Sequence, residues 1–139
     1  MYAILFMVDL GIMAGFYYYL YRRKKSMGLS LGMNTAMAMT VFFSLFLSYV
    51  LMEKFPFYYV QILCVTTLTT MLVGGLFGWL KDEQTIITGL ANGVMMGLMA
   101  PMAAGISLYD KEVFYLLQIL FLCTIISLSF ERKRWRKLV

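Results

Sequence analysis

The sequence has no histidine, two cysteines, two prolines and few charged residues. Without histidine, the chain cannot form a His-ligated haem or a His-containing zinc site, and it cannot use a histidine general base. Cys64 and Cys123 are too far apart for a Cys-x-x-Cys motif and too few for a disulfide framework. Charged residues make up 14% of the 139 positions, against about 25% in a typical soluble domain.

The chain is instead rich in long apolar runs. Hydrophobic residues make up 62% of the sequence and the mean hydropathy is +0.80. A helix needs about 17–25 apolar residues to cross a membrane, and backbone groups in lipid must be hydrogen-bonded within their own segment. We therefore predict an all-α integral membrane protein that forms one domain, 1–139. Its five predicted transmembrane helices lie between the charged stretches: 2–21, 31–52, 57–80, 85–108 and 113–130.

Lysine and arginine are unevenly distributed between the predicted loops. Ten of the twelve follow spans 1, 3 and 5, mostly in the clusters 22–25 and 131–137, and only Lys54 and Lys111 follow spans 2 and 4. The positive-inside rule then places the N-terminus outside and the C-terminus in the cytoplasm of what we expect to be a bacterial plasma membrane. The basic segments should contact anionic lipid headgroups at the cytoplasmic face. We expect no nucleic-acid binding, because the run 131–137 is short and directly follows a span.

The chain resembles itself at an offset of 57 residues. The segments 53–63 and 110–120 share six of eleven positions, which include the matched pair Gln61 and Gln118. This similarity predicts two parallel-repeated helical hairpins, an arrangement that is common in transporters. Chance similarity between two aromatic-rich span starts is the alternative. The predicted parts are an N-terminal helix, hairpin A, hairpin B and a basic cytoplasmic tail: 2–21, 31–80, 85–130 and 131–139.

Small residues recur at every fourth position in spans 3 and 4. This spacing lets two helix backbones come close together, and the short connection between these spans makes them antiparallel neighbours. The alternative use of the small residues is a contact between copies of the chain. The expected facing pairs are Gly78 with Gly89, Gly74 with Gly93, and Thr70 with Gly97.

Span 4 also contains a proline. The ring of Pro101 conflicts with the carbonyl group of Gly97, so we expect a kink in the outer half of the span. Such a kink can shape a cavity or a gate, and packing that tolerates the proline is the alternative.

Asp9 lies inside span 1, about 10 Å from its start at 1.5 Å per residue. A carboxyl group at that depth is costly and suggests a functional site. Glutamine, serine and methionine side chains occur at similar depth in the other spans. Structural hydrogen bonding is the alternative for the acid and for the glutamines, and access of water from the outer surface is a further alternative for the acid. The candidate site for an ion or a small solute comprises six residues: Asp9, Ser48, Gln61, Met99, Met102 and Gln118.

Methionine is abundant, with thirteen residues. Met95, Met99 and Met102 share one face of span 4 by their spacing, and soft thioether ligands suit Cu(I), to which a cysteine thiolate could be added. Methionine is also a flexible packing residue beside glycine-rich helix faces. Cu(I) is therefore the one cofactor that the sequence suggests, with packing as the alternative.

The sequence predicts no enzyme, because it contains no nucleophile–base pair, no glycine-rich phosphate loop and no metal-ligand cluster of standard spacing. Two classes of function remain. The first is an oligomeric transporter or channel for an ion or a small solute, which the repeat, the acid and the proline favour. The second is an accessory or assembly subunit of a larger membrane complex. Five helices enclose little space, so transport would need a homo-oligomer or a membrane protein partner.

Overall fold

The computed structural model describes residues 2–22, 29–79, 82–107 and 110–138, and all secondary structure in these residues is helical. Each helix contains a stretch long and apolar enough to cross a membrane. The prediction of an all-α protein with five such helices is therefore confirmed for the described residues. The helices are α1 (Tyr2–Arg22), α2 (Leu29–Lys54), α3 (Tyr59–Trp79), α4 (Glu83–Ser107) and α5 (Lys111–Leu138).

Some helices extend beyond the predicted spans. α2 continues through Glu53 and Lys54, and α5 continues through most of the predicted tail as far as Leu138. Glutamate, lysine and arginine are good helix formers, so a charged residue ends the apolar run without ending the helix. Of the predicted basic cluster 22–25, only Arg22 lies within the described residues; Lys81 also lies outside them.

The centre of the fold is formed by α2, α3 and α4. The closest packing is between α3 and α4, and α4 also packs along α2, while α1 and α5 are held mainly by α2. More than half of the α2 span is buried, at 56%, against 17% of each of the α1 and α5 spans. α2 is therefore the central helix, and α1 and α5 are attached at its sides.

The α3–α4 contact is made backbone to backbone. Gly74 and Gly89 face each other so closely that a Cβ atom on either would meet the carbonyl group of the other. At Gly93, a Cβ atom would lie 2.6 Å from the Thr70 carbonyl oxygen. The Thr70 hydroxyl also donates a hydrogen bond to the Gly93 carbonyl oxygen at 2.9 Å. The small residues of α3 and α4 are thus used within the chain.

The observed register corrects the predicted one by one helical turn. Gly74 faces Gly89 rather than Gly93, and Gly78 faces the start of α4 rather than Gly89. In the third predicted pair, Gly97 does contact the Thr70 hydroxyl, but its backbone neighbour on α3 is Thr67. The prediction paired the small residues of α3 with the small residues of α4. Because α4 already begins at Glu83, its first turn and not Gly89 lies opposite Gly78. The two helices therefore meet closer to the connection than the prediction assumed.

Asp82 provides the cap that starts α4 early. Its carbonyl oxygen accepts a hydrogen bond from the Ile86 N–H at 3.1 Å, and its carboxylate accepts one from the Thr85 hydroxyl at 3.2 Å. Aspartate is among the preferred residues at this position because its side chain satisfies groups of the first helical turn. The capped turn then packs on Gly78, where a Cβ atom would lie 2.6 Å from the Thr85 carbonyl oxygen.

Pro101 is buried within α4, which continues as one helix on both sides of it. Proline has no N–H, so Pro101 cannot donate the usual helical hydrogen bond to the carbonyl oxygen of Gly97. The predicted kink stays a prediction.

An aromatic cluster attaches α5 to α2. Phe46 is almost fully buried, and its ring centroid lies 5.6 Å from those of both Phe114 and Phe121 on α5. The Phe42 and Phe121 centroids are 5.3 Å apart. The two rings on α5 are edge to face with Phe46, which is a favourable geometry for aromatic pairs. The cluster therefore determines which face of α5 is turned towards α2.

The two predicted hairpins differ in their packing. α2 and α3 pack against each other, whereas α4 packs mainly on α3 and α2, and α5 mainly on α2. The contacts among the described residues therefore do not confirm a pair of repeated hairpins, and the repeat stays a prediction from the sequence.

Candidate functional site

The structure brings together two of the six predicted site residues, one from each end of the chain. Asp9 on α1 is only 1% exposed, and Gln118 on α5 is partly buried. Gln118 Nε2 donates a hydrogen bond to Asp9 Oδ1 at 2.6 Å. We call these two residues the carboxyl–amide pair. Both lie about 10 Å from the start of their helices, at 1.5 Å per residue.

The carboxyl–amide pair lies beside the central helix α2. One turn before the acid, the ring of Phe6 is 6.1 Å from that of Phe43. One turn after the glutamine, Phe121 contacts Phe42, the residue next to Phe43. Ser44 follows directly and is fully buried, and its hydroxyl donates to the Val41 carbonyl oxygen at 2.8 Å. Aromatic contacts one turn from each member of the pair therefore join α1 and α5 to neighbouring residues of α2.

Each member of the pair has one buried oxygen atom without a hydrogen-bond partner: Asp9 Oδ2 and Gln118 Oε1. Buried polar atoms are nearly always hydrogen-bonded, and each exception calls for a physical explanation. Ser48 Oγ, about one turn beyond Ser44 on α2, and Thr66 Oγ1 on α3 are also buried without a partner. The pair is distinct because its two unpartnered atoms belong to groups already in contact.

Gln61, Met99 and Met102 are not brought to the pair. Gln61 is exposed and lines an open groove of about 380 Å³ with apolar and aromatic residues of α2, of α3 and of the connection between them. Met99 and Met102 are each 58% exposed. α4 turns its small residues towards α3 and α2, so the side chains at these two positions point away from the bundle. Their predicted depth is similar to that of Asp9, but their side chains lie on helix faces that do not point towards it.

The proposed Cu(I) ligands also face outward. Met95 is 62% exposed and shares the outer face of α4 with Met99 and Met102, while Cys64 and Cys123 are both exposed. A copper site needs thioether and thiolate groups that converge on one point. A stripe on one outward helix face supplies ligands from one side only, so the geometry does not favour the copper hypothesis.

Gly11 and Gly15 on α1 form a small-residue pair that the sequence reasoning missed. Both are exposed, and a Cβ atom at either position would meet nothing within 4 Å. Their spacing of four is the same signal that marks the α3–α4 contact. In contrast to the glycines of that contact, these two leave an open strip on the surface of α1.

A second groove, of about 270 Å³, lies between α1, α2 and α3. It is lined by apolar and aromatic side chains, which include Met13, Tyr17, Phe43 and Phe77. The Tyr17 and Phe77 rings, 5.3 Å apart and edge to face, hold α1 on α3. Asp9 does not line this groove, so the groove and the carboxyl–amide pair are separate features.

No known protein family matches the chain, and neither a curated protein nor a solved structure is similar to it. Five apolar helices are compatible with a membrane protein. The chemical feature that distinguishes the chain is the carboxyl–amide pair, which its first and last described helices hold together.

Proposed function

We propose that the chain is an oligomeric plasma-membrane transporter or channel for an ion or a small solute, and that Asp9 is its binding group. The observation that carries the proposal is the burial of Asp9, 1% exposed inside an apolar helix, with one carboxyl oxygen unpartnered. Acidic side chains within membrane spans are rare because they are costly, and they commonly mark ion pathways and proton relays.

The surroundings of Asp9 favour a binding role over a purely structural one. A structural acid is expected to have both oxygen atoms satisfied, because a half-satisfied buried polar network is destabilising. Here only Oδ1 accepts a hydrogen bond, and its donor is a neutral amide. The five predicted spans contain no lysine, arginine or histidine that could neutralise the acid. A bound cation would supply the missing positive charge.

The arrangement of the helices supports movement at this site. Asp9 and Gln118 lie on α1 and α5, the two helices that are attached at the sides of the central three. Elements with few buried contacts open at lower free energy than the core of a protein. A displacement of α1 or α5 would separate the pair without disturbing the glycine contact between α3 and α4.

The proposed orientation places the carboxyl–amide pair nearer the outer surface. With the N-terminus outside, as the positive-inside rule indicates, the pair lies about 10 Å below the outer ends of α1 and α5. The basic end of α5 then lies at the cytoplasmic face, where it would contact anionic lipid.

The direct test is flux into liposomes that contain the purified protein. We expect Asp9→Asn to lower the flux of the transported cation at least about tenfold, because the neutral amide cannot take up a positive charge, while the variant remains folded. Protons, Na⁺ and K⁺ would be followed separately with fluorescent indicators. Asp110→Asn, which changes an exposed acid at the start of α5, is the matched control and should keep full flux. Wild-type flux that Asp9→Asn leaves intact would refute the role of Asp9.

An accessory subunit is the second candidate, and the open strip at Gly11 and Gly15 favours it. Small residues at this spacing on a lipid-facing helix surface accept a second transmembrane helix. Native mass spectrometry of the protein, extracted in mild detergent from its own membrane, distinguishes the two functions. A homo-oligomer is the expected result for a transporter. Stoichiometric recovery of a different membrane protein would instead support the accessory role.

A further inference from the structure

We propose that the carboxyl–amide pair binds a proton: Asp9 is held as a neutral carboxylic acid, hydrogen-bonded twice to Gln118. This inference rests on the proposed function, because it identifies the transported ion as a proton. Protonation transfers one hydrogen ion from a hydronium ion of the surrounding water to Asp9 Oδ2. One O–H bond of the hydronium ion breaks and leaves a water molecule, while an O–H bond forms at Oδ2 and removes the negative charge of the carboxylate.

One proton accounts for both unpartnered atoms of the pair. An ionised carboxylate is an acceptor only, as is the oxygen atom of a glutamine amide. Two acceptors cannot bond to each other, so Asp9 Oδ2 and Gln118 Oε1 are both left without a partner. A proton on Oδ2 turns that atom into a donor, and Oε1 is an acceptor on the group that Asp9 already contacts. The acid and the amide then each donate one hydrogen bond and each accept one.

The distribution of charge around the pair also favours the neutral acid. Along α1, the nearest basic residue after Asp9 is Arg22, and along α5 the nearest charged residues to Gln118 are Glu112 and Lys111. α2 carries its charges at its outer end, and α3 has none within Tyr59–Trp79. Each of the charged residues on α5 is at least six residues from the glutamine, or about 9 Å along the helix. No basic group therefore faces Asp9 from these elements.

A divalent metal cation fits the pair less well than a proton does. Hard cations such as Ca²⁺ and Mg²⁺ need six or more oxygen ligands in their first shell. The pair offers two free oxygen atoms, and the Ser44 hydroxyl on α2 already donates to its own helix. Even with Ser48 Oγ, the oxygen ligands would be too few. A proton needs only one donor and one acceptor.

The proposal makes asparagine at position 9 a close substitute for the protonated acid. An asparagine amide can donate to Gln118 Oε1 and accept from Gln118 Nε2, as the neutral acid does. Asp9→Asn should therefore keep the melting temperature of the wild type, whereas Asp9→Leu should lower it. Asp9→Asn removes the proton site but keeps the hydrogen bonds between α1 and α5, whereas Asp9→Leu removes both.

Infrared spectroscopy of the wild type in lipid vesicles at neutral pH tests the proposal. The chain contains only three aspartates, Asp9, Asp82 and Asp110, and the latter two are exposed. Protein labelled with ¹³C at the aspartate carboxyl carbons should therefore show an isotope-shifted carboxylic-acid band from Asp9 alone. Asp9→Asn should lose this band and Asp110→Asn should keep it. Gln118→Leu should shift the frequency of this band, because both hydrogen bonds between Asp9 and the Gln118 amide are lost.

The infrared result and the flux result are independent. An acid band that Asp9→Asn removes, without any flux in liposomes, would support the proton pair and refute the transport function. If labelled wild-type protein shows carboxylate bands only, the proton pair is overturned. In that case, cation flux that Asp9→Asn abolishes would keep the transport function and assign another ion to the site.

Discussion

Replacement of Gly89 by alanine should leave little folded protein, because the added Cβ atom has no room against α3. It would meet the carbonyl group of Gly74, which is backbone and cannot turn aside as a side chain can. The two helices would have to separate, and the neighbouring contact at Gly93 would be lost with them. We expect the free energy of unfolding in detergent micelles to fall by more than about 4 kcal/mol, which is exceptional for one substitution.

Gly15→Ala is the matched control for this prediction. Both substitutions replace a helical glycine by alanine, which by itself favours the helix by about 1 kcal/mol. A Cβ atom at Gly15 meets nothing within 4 Å. We therefore expect the Gly15 variant to unfold at the same temperature as the wild type or slightly above it. Equal unfolding temperatures for the Gly89 and Gly15 variants would show that the close α3–α4 contact is absent.

Phe121→Ala should release α5 from the bundle. Phe121 is fully buried and its ring contacts Phe42 and Phe46 on α2. A buried phenylalanine contributes about 3–5 kcal/mol in soluble proteins. In a membrane the lipid is as apolar as the protein interior, so only the packing contribution is lost, and we expect about 2 kcal/mol. Amide hydrogen exchange should then increase along α5 and remain low in α3 and α4.

The control for Phe121 is a second phenylalanine on the same helix. Phe130 is 66% exposed and lies outside the aromatic cluster, so Phe130→Ala should leave hydrogen exchange along α5 unchanged. Because α5 carries Gln118, the Phe121 variant should also lose flux in liposomes, although it alters no polar group. If both variants change hydrogen exchange equally, the aromatic cluster does not determine the position of α5.

The molecule has a rigid part, formed by α3 and α4, and a less tightly held part, formed by α1 and α5. Helices α3 and α4 are joined through their backbones, whereas α1 and α5 are attached to α2 through side chains such as Phe43 and Phe46. The candidate site lies between the two outer helices. A binding site to which access must open and close is expected between loosely held helices rather than in the most stable part of a fold.

The sequence by itself determined the helices and the position of the acid within the first of them. In lipid, each segment must satisfy its own backbone groups, so the positions of the charges and the lengths of the apolar runs predict five helices. The same count along α1 places Asp9 about 10 Å from the start of its helix. Small residues at every fourth position further predicted that α3 and α4 approach closely, which the contact between Gly74 and Gly89 shows.

Only the tertiary structure decided the rotation of each helix and the register between helices. In a soluble helix the buried face is apolar and the outer face is polar, but lipid is as apolar as the interior of the bundle, so the sequence pattern does not distinguish the two faces. Gln61 and Gln118 illustrate this difference, because they occupy matched positions in the predicted repeat. Gln61 is exposed, whereas Gln118 is hydrogen-bonded to Asp9. Their different surroundings follow from the way in which α3 and α5 pack against α2. Counting residues along the chain does not predict this packing.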